Sequence, residues 1–313
     1  MAADTDGQQG VHDYIEDPRN ADILISINGE LVPRSKATVS VFDSGFILGD
    51  GVWEGLRVYG GGVAFLDDHI DRLFEGAKTL DIDLGVTRDA LIARVMDVLV
   101  ANKMEDGAHI RLMATRGIKK SPYQGPRFTI TKATIVIIPE FKTPLPGVAA
   151  KGVKLITSHV RRTGPAEQDQ KLNSHSKLNC ILACIEAEKR GADEALMLDA
   201  NGFVATCNST HFFIVRGGEV WTSPPDYCLG GITRGNVINL AQKVGLVMKE
   251  KRFSLHDVYN ADEAFLTGTF AGLSPIREVD GRTIKTVNGP ITQRLLEAYK
   301  ASVSENLTAI PGL

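Results

Sequence analysis

The sequence predicts a two-domain mixed α/β protein, and three observations carry that expectation. A chain of 313 residues exceeds the ~100–200 residues usual for one domain. Segments with helical spacing of apolar residues are interspersed with short apolar runs of strand character, the pattern of mixed architecture. The stretch from Phe141 to Gly152 (FKTPLPGVAAKG) carries two prolines and two glycines and no amphipathic period, as an interdomain linker does. The expected organisation is an N-terminal arm over residues 1–20, a small α/β domain over 21–142, a linker at 143–152 and a larger domain over 153–313.

Each element follows from local chemistry. Met1 to Asn20 is polar and acidic and reads as a mobile or draped arm; it has neither the apolar core of a signal peptide nor the character of an arginine-rich transit peptide. ILISINGELVP alternates around Asn28-Gly29, a hairpin signal. A glycine-rich stretch then leads to a strand around Trp53 to Tyr59. From Asp67 to Leu80, Ile70, Leu73, Phe74 and Ala77 fall on one helical face, with Asp67 as the expected N-cap. A second helix is expected near Arg88 to Asn102, followed by strands in HIRLMATRG and ATIVIIPEF. Past the linker, GVKLITSHV reads as a strand, and a helix over Leu178 to Arg190 should end at Gly191. EALMLD, GFVAT and HFFIVR read as consecutive strands, the first turn being Asn201-Gly202. GGITRGNVINLAQKVG opens with glycines and becomes a helix, and EAFLTGT is a strand running into a turn. There is no internal repeat.

Composition narrows the function. Lys plus Arg is 35 and Asp plus Glu is 38, a net charge of −3, so no polyanion-binding surface and no nucleic-acid partner is expected. No run reaches the ~18 apolar residues of a membrane span. Four cysteines, Cys180, Cys184, Cys207 and Cys228, form no C-x-x-C pair. Cys180 and Cys184, one turn apart, read as small buried residues on a helix face. A reducing cytoplasm is the expected compartment, and no metal site is expected. The glycine count, 31, suggests tight turns and close backbone approach to a ligand.

Three loops carry chemistry. In LGGITRGNVI two glycines precede a helix start, where the amides of Ile232 and Thr233 would face an anion. LTGTFAGL places Thr267 and Thr269 around Gly268 at a strand end, where hydroxyls and amides suit phosphate oxygens. His69 and Arg72 lie three apart on one helix face, and Arg clamps phosphate well. Alone, the first divides evenly between an anion site and an ordinary turn, and the other two read first as a simple turn and a solvated charge.

Taken in order, GDGVWEG, HIDRL, a lysine-containing helix entry, GGITR and TGT-A resemble the class IV (fold type IV) pyridoxal-phosphate aminotransferases. That family includes branched-chain and D-amino-acid aminotransferases, aminodeoxychorismate lyases and (R)-selective amine transaminases. The resemblance runs from about Ile23 to the end. It implies a small N-terminal α/β domain, a larger C-terminal pseudo-barrel domain, a homodimer, and pyridoxal 5'-phosphate held at the domain interface. It implies that Arg72, Ile232, Thr233 and Thr269 hold the phosphate. It also implies that the strand GVWEGLRVY, with Glu54, Arg57 and Tyr59, lines the substrate pocket.

The resemblance breaks at two positions. Counted without gaps, the family's catalytic lysine column falls at or near Asn173, flanked by Lys171 and Lys177. The chemistry needs an amine that forms a Schiff base and shuttles a proton. Lys177 is preferred, because Lys177-Leu178-Asn179 echoes the family's K-x-L-N and because a residue near this position approaches the cofactor's 3-hydroxyl in branched-chain aminotransferases. Lys171 is the runner-up: it stands two residues before the Asn173 column and on the same strand face, with a local insertion to absorb. The family's E-G-x-x-x-N-x-F motif here reads VATCNSTHFF, so Thr206 replaces the glutamate that contacts the pyridine nitrogen and His211 replaces asparagine. Either another acid serves the ring or the ring runs neutral.

Three functions therefore compete. The first is an aminotransferase working between an amino acid or amine and a 2-oxo acid. The second is a lyase of the aminodeoxychorismate type. The third is a cofactor-binding homologue with altered or lost transaminase chemistry. Arg57, Arg111, Arg116, Lys119 and Lys120 are candidates to contact a substrate carboxylate.

Overall fold

The computed structural model describes residues 10–313; residues 1–9 of the expected arm lie outside them. The described chain divides into two compact units. One comprises residues 15–143, 172–177 and 303–313, and the other 144–171, 178–302 and the stretch ending at Tyr14. The observed units differ from the expected boundaries in two places. The last residues return to the first unit because Leu307–Ala309 pairs antiparallel with Gly62–Ala64 and Ile310 joins its core. Residues 172–177 also belong there. The expected linker holds a short helix, Pro146–Lys151.

The first unit is an antiparallel sheet with helices on one face. Its strand order is Leu307–Ala309, Gly62–Ala64, Gly51–Tyr59, Ala108–Thr115, Thr134–Phe141, Leu24–Ile27, Glu30–Pro33. The hairpin turn is as read: Asn28 and Gly29 both have positive φ, 55° and 95°, the geometry that matches strand twist. Val52, Leu56 and Val58 alternate onto the face covered by helices Leu66–Thr79 and Arg88–Ala101. Ile70, Leu73 and Ala77 are buried there, with Phe74 packed at the margin. Asp67 is not the N-cap: Phe65 holds that position with φ 51° and no side-chain bond, and Asp67 stands in the first turn, where a carboxylate still complements the helix dipole. The arm is draped from Gly10 onward in two pieces. Asn20 bonds the backbone of Phe141 at 2.8 and 2.9 Å in the first unit. In the second, Val11 is buried and His12 Nε2 lies 2.9 Å from Ser209 Oγ.

The second unit is a nine-stranded mixed sheet ordered Val204–Cys207, Glu194–Leu198, Val153–Thr157, Gly272–Val279, Glu263–Gly268, His211–Arg216, Glu219–Thr222, Val247–Glu250, with Arg282–Thr283 pairing Gly272–Val279. The sheet curls back on itself. Cys207 N–H, on the first strand, donates to Thr210 O, beside the sixth, at 3.0 Å. Phe213 and Phe265 stack at 5.0 Å between neighbouring strands. Helix Leu178–Lys189 packs Ala183 and Ala187 against Ile156, Ala195 and Met197. Those alanines occupy its inner line, so Cys180 and Cys184 are half-buried rather than buried, a second correction. Leu178, Ile181, Leu182 and Ile185 are exposed on the other side. Among the described residues no helix is long and apolar enough to cross a membrane.

Candidate active site

In the first unit, strand alternation separates residues that the sequence reading grouped. Glu54 follows Trp53 and so turns to the helix-covered face with Val52 and Leu56. It is wholly buried. His69 Nδ1 lies 2.7 Å from Glu54 Oε2, and Arg72 donates from Nε to Oε1 at 2.8 Å and from Nη2 to Oε2 at 2.6 Å. Burial alone would raise the Glu54 carboxyl; the hydrogen bonds from Arg72 and His69 outweigh it and hold it below the usual range. Burial pushes His69 down more than Glu54 lifts it; facing a carboxylate that can only accept, His69 donates through Nδ1–H.

This corrects one expectation: Glu54 does not share a face with Arg57 and Tyr59, the face on which the sequence reading placed it. Arg72 holds Glu54 in a bidentate fork. The i,i+3 pairing of His69 with Arg72 was legible, but their shared carboxylate was missed; the alternation of VWEGLRVY was the available signal.

The opposite sheet face carries Trp53, Arg57, Tyr59 and Arg111. The Arg57 guanidinium stands 5.6 Å from the Tyr59 ring centroid and its Nη1 donates to Lys142 O at 2.5 Å. Arg111 stacks on Trp53 at 3.7 Å. Asn173, at the expected lysine column, is buried and runs alongside this strand: its carbonyl accepts from Trp53 N–H at 3.0 Å and its Nδ2 donates to Trp53 O at 2.6 Å. Asn173 Oδ1 is buried without a partner. Lys177 is half-buried, its Nζ 5.5 Å from the Trp53 centroid. Lys171 is exposed.

The second unit carries the candidate anion cup. Gly231 is the N-cap of helix Ile232–Lys243 and makes no side-chain cap bond, leaving the first amides for a ligand. His211 pairs with Thr267 across neighbouring strands, and its Nε2 lies 2.8 Å from Leu229 O. Its ring fills the space where a Cβ on Gly231 would stand. His211 thus joins the Gly231–Thr233 turn to the Thr267–Thr269 turn. Thr267 is fully buried, and its hydroxyl has no partner among the described residues. Thr233 is buried, with its hydroxyl 3.3 Å from Tyr299 OH, and Thr269 is half-buried.

Thr206 is buried and donates to Thr210 O at 2.8 Å. A nearby buried acid, Glu194, is occupied by Ser209 and Thr210, with oxygens 2.7–2.9 Å from their hydroxyls. Met197 is the residue opposite Thr206, and Glu194, three positions earlier, faces the other side of the sheet. Glu194 therefore does not replace the missing ring acid. The cup fits a phosphate group through its uncapped helix start and orphaned Thr267 hydroxyl; the Thr206 position fits a hydroxyl-lined ring edge without a carboxylate. Among the described residues no cluster of three or more His, Cys, Asp or Glu is arranged to hold a metal.

A curled mixed sheet with an anion cup at a glycine-led helix start, preceded in the chain by an antiparallel α/β unit, defines a class. The family described as amino-transferase class IV matches residues 51–279, and the chain belongs to that family. It is 41% identical over 295 residues to branched-chain-amino-acid aminotransferase-like protein 2 of Arabidopsis thaliana, covering 94% of this chain and 53% of that protein. It is 36% identical over 291 residues to the branched-chain-amino-acid aminotransferase of Pseudomonas aeruginosa, covering 90% and 94%. The crystal structure of the branched-chain amino acid aminotransferase from Thermobaculum terrenum in its PLP-form (holo-form) superposes with a TM-score of 0.82 at 25% identity, covering 93% of this chain and 99% of that one. The chain thus spans about half the length of the Arabidopsis relative.

Proposed function

We propose that this chain is a pyridoxal-phosphate-dependent aminotransferase moving an amino group between an amino acid, or amine, and a 2-oxo acid. The observation that carries the reading is the anion cup: the uncapped start of helix Ile232–Lys243 and the buried, partnerless Thr267 hydroxyl. It occurs in a chain of the class IV family. When bound, pyridoxal phosphate supplies a carbonyl that takes the amino group and a ring that draws electrons from the substrate's α-carbon.

The chain's own residues do the rest. Ile232 and Thr233 would present amide hydrogens to the phosphate, Thr267 and Thr269 would add hydroxyls, and Arg72, its guanidinium oriented by Glu54, would add a cation. Thr206 offers the ring a hydroxyl in place of a carboxylate. Lys177 is the proposed amine and proton carrier. It is half-buried on the sheet face that bears Trp53, Arg57 and Arg111, and those guanidiniums suit a substrate carboxylate. Lys171, exposed, is the runner-up.

A homodimer is proposed as well. Val41 and Phe46 are 67% and 72% exposed beside Phe42, and apolar patches of this kind mark interaction surfaces. Four free thiols suit a reducing cytoplasm.

The test is an amino-donor panel on purified protein with pyridoxal phosphate, pyruvate and 2-oxoglutarate. Acceptor-dependent amino transfer supports the proposal. Pyruvate formed with no 2-oxo acid added points to a lyase instead. No turnover with any donor, despite bound cofactor, overturns it.

A further inference from the structure

Arg162 is 6% exposed, yet its side chain meets no carboxylate among the described residues. Its Nη1 donates to Cys180 Sγ at 2.7 Å, and its Nε is buried without a partner. A guanidinium cannot shed its charge, and burying one without an anion is costly. The group it points at is a thiol. Cys180 is the third residue of helix Leu178–Lys189, within the first turn, where the helix dipole also favours negative charge.

The same helix carries a control. Cys184, one turn on and also half-buried, lies 3.7 Å from Glu188 Oε1. Burial and that carboxylate both raise its thiol. Cys207 and Cys228 are buried. Cysteine reactivity follows local positive charge and partial exposure, and among the four only Cys180 combines a direct guanidinium contact with partial exposure. It sits toward the Ala183–Ala187 line, away from the exposed Leu178, Ile181, Leu182 and Ile185.

We propose that Cys180 is a modification site: a nucleophilic thiol, activated by Arg162, that reacts with hydroperoxides and other soft electrophiles. With hydrogen peroxide the sulfur attacks one oxygen and the O–O bond breaks. Cys180 is oxidised by two electrons to a sulfenic acid, and the second oxygen leaves as water with the thiol's proton.

The test is a time course of iodoacetamide labelling on the purified full chain at pH 7, with each cysteine followed by peptide mass spectrometry. Cys180 is expected to label roughly ten-fold faster than Cys184. Arg162→Met should erase most of that lead and Arg162→Lys should keep part of it. Slow labelling of Cys207 and Cys228 reports that each variant is folded. Under peroxide with dimedone present, the adduct should fall on Cys180. If Cys180 labels no faster than Cys184 in the parent protein, the proposal fails whatever the variants do; a lead that survives Arg162→Met in a folded variant also overturns it.

Discussion

Replacing Arg72 with methionine strands Glu54. The carboxylate is wholly buried and would lose two charge-assisted bonds of 2.8 and 2.6 Å. Removing one partner of a buried ion pair costs about 3–5 kcal/mol. His69 remains at 2.7 Å and can take up a proton as substitute cation, which places the expected loss near the lower end, about 3 kcal/mol. In the variant one proton should be shared by Glu54 and His69, so the loss should be largest near pH 8 and shrink toward pH 5. The assay is urea unfolding of the parent, Arg72→Met, Glu54→Leu and the double variant at three pH values. The double variant should recover much of the loss, since an apolar pair leaves no buried charge. A loss below about 1 kcal/mol for Arg72→Met, or no recovery in the double variant, would refute the assignment of Arg72 to Glu54.

Other outcomes follow from the same geometry. Thr267→Val removes an orphaned buried hydroxyl, so the cofactor-free protein should be no less stable while equilibrium dialysis shows weaker retention of pyridoxal phosphate. Gly231→Ala drives a methyl group into the His211 ring; overpacking of this kind costs about 1–3 kcal/mol, read as a lower urea midpoint. His69 is held below its unfolded value, so the unfolded chain binds the extra proton first. The stability due to neutral His69 should therefore fall as pH drops below about 6.5, a slope that His69→Gln should flatten. Glu54, also held low, adds a further loss below about 4.3. Phe46→Asp should shift sedimentation from dimer toward monomer if the exposed apolar segment is the self-contact.

Much of this architecture was legible because it is written in local chemistry. The Asn28-Gly29 turn requires two positive φ angles, and those residues tolerate them. The glycine-led start at Gly231 is a backbone feature that needs no partner to be recognised. Long-range partnership was harder to see. Glu54 and Arg72 are eighteen positions apart, and only strand alternation says which side Glu54 faces. The return of Leu307–Ala309 to the Gly62–Ala64 edge leaves no local trace, so the C-terminal residues were assigned to the wrong unit. Arg162 and Cys180 meet across a loop and a helix start, with no motif to flag them. Asn173, at the lysine column, lies against Trp53, while Lys171 and Lys177 stand outside that column, where no local motif marks the amine.

The amine is the central claim, and one measurement addresses it directly: borohydride reduction of the protein with bound pyridoxal phosphate, followed by peptide mapping of the reduced lysine. The pyridoxyl mass is expected on Lys177, and Lys177→Ala should abolish it and lower turnover by orders of magnitude while Lys171→Ala does neither. A pyridoxyl mass on Lys171, or on no lysine while the cofactor stays bound, would contradict it.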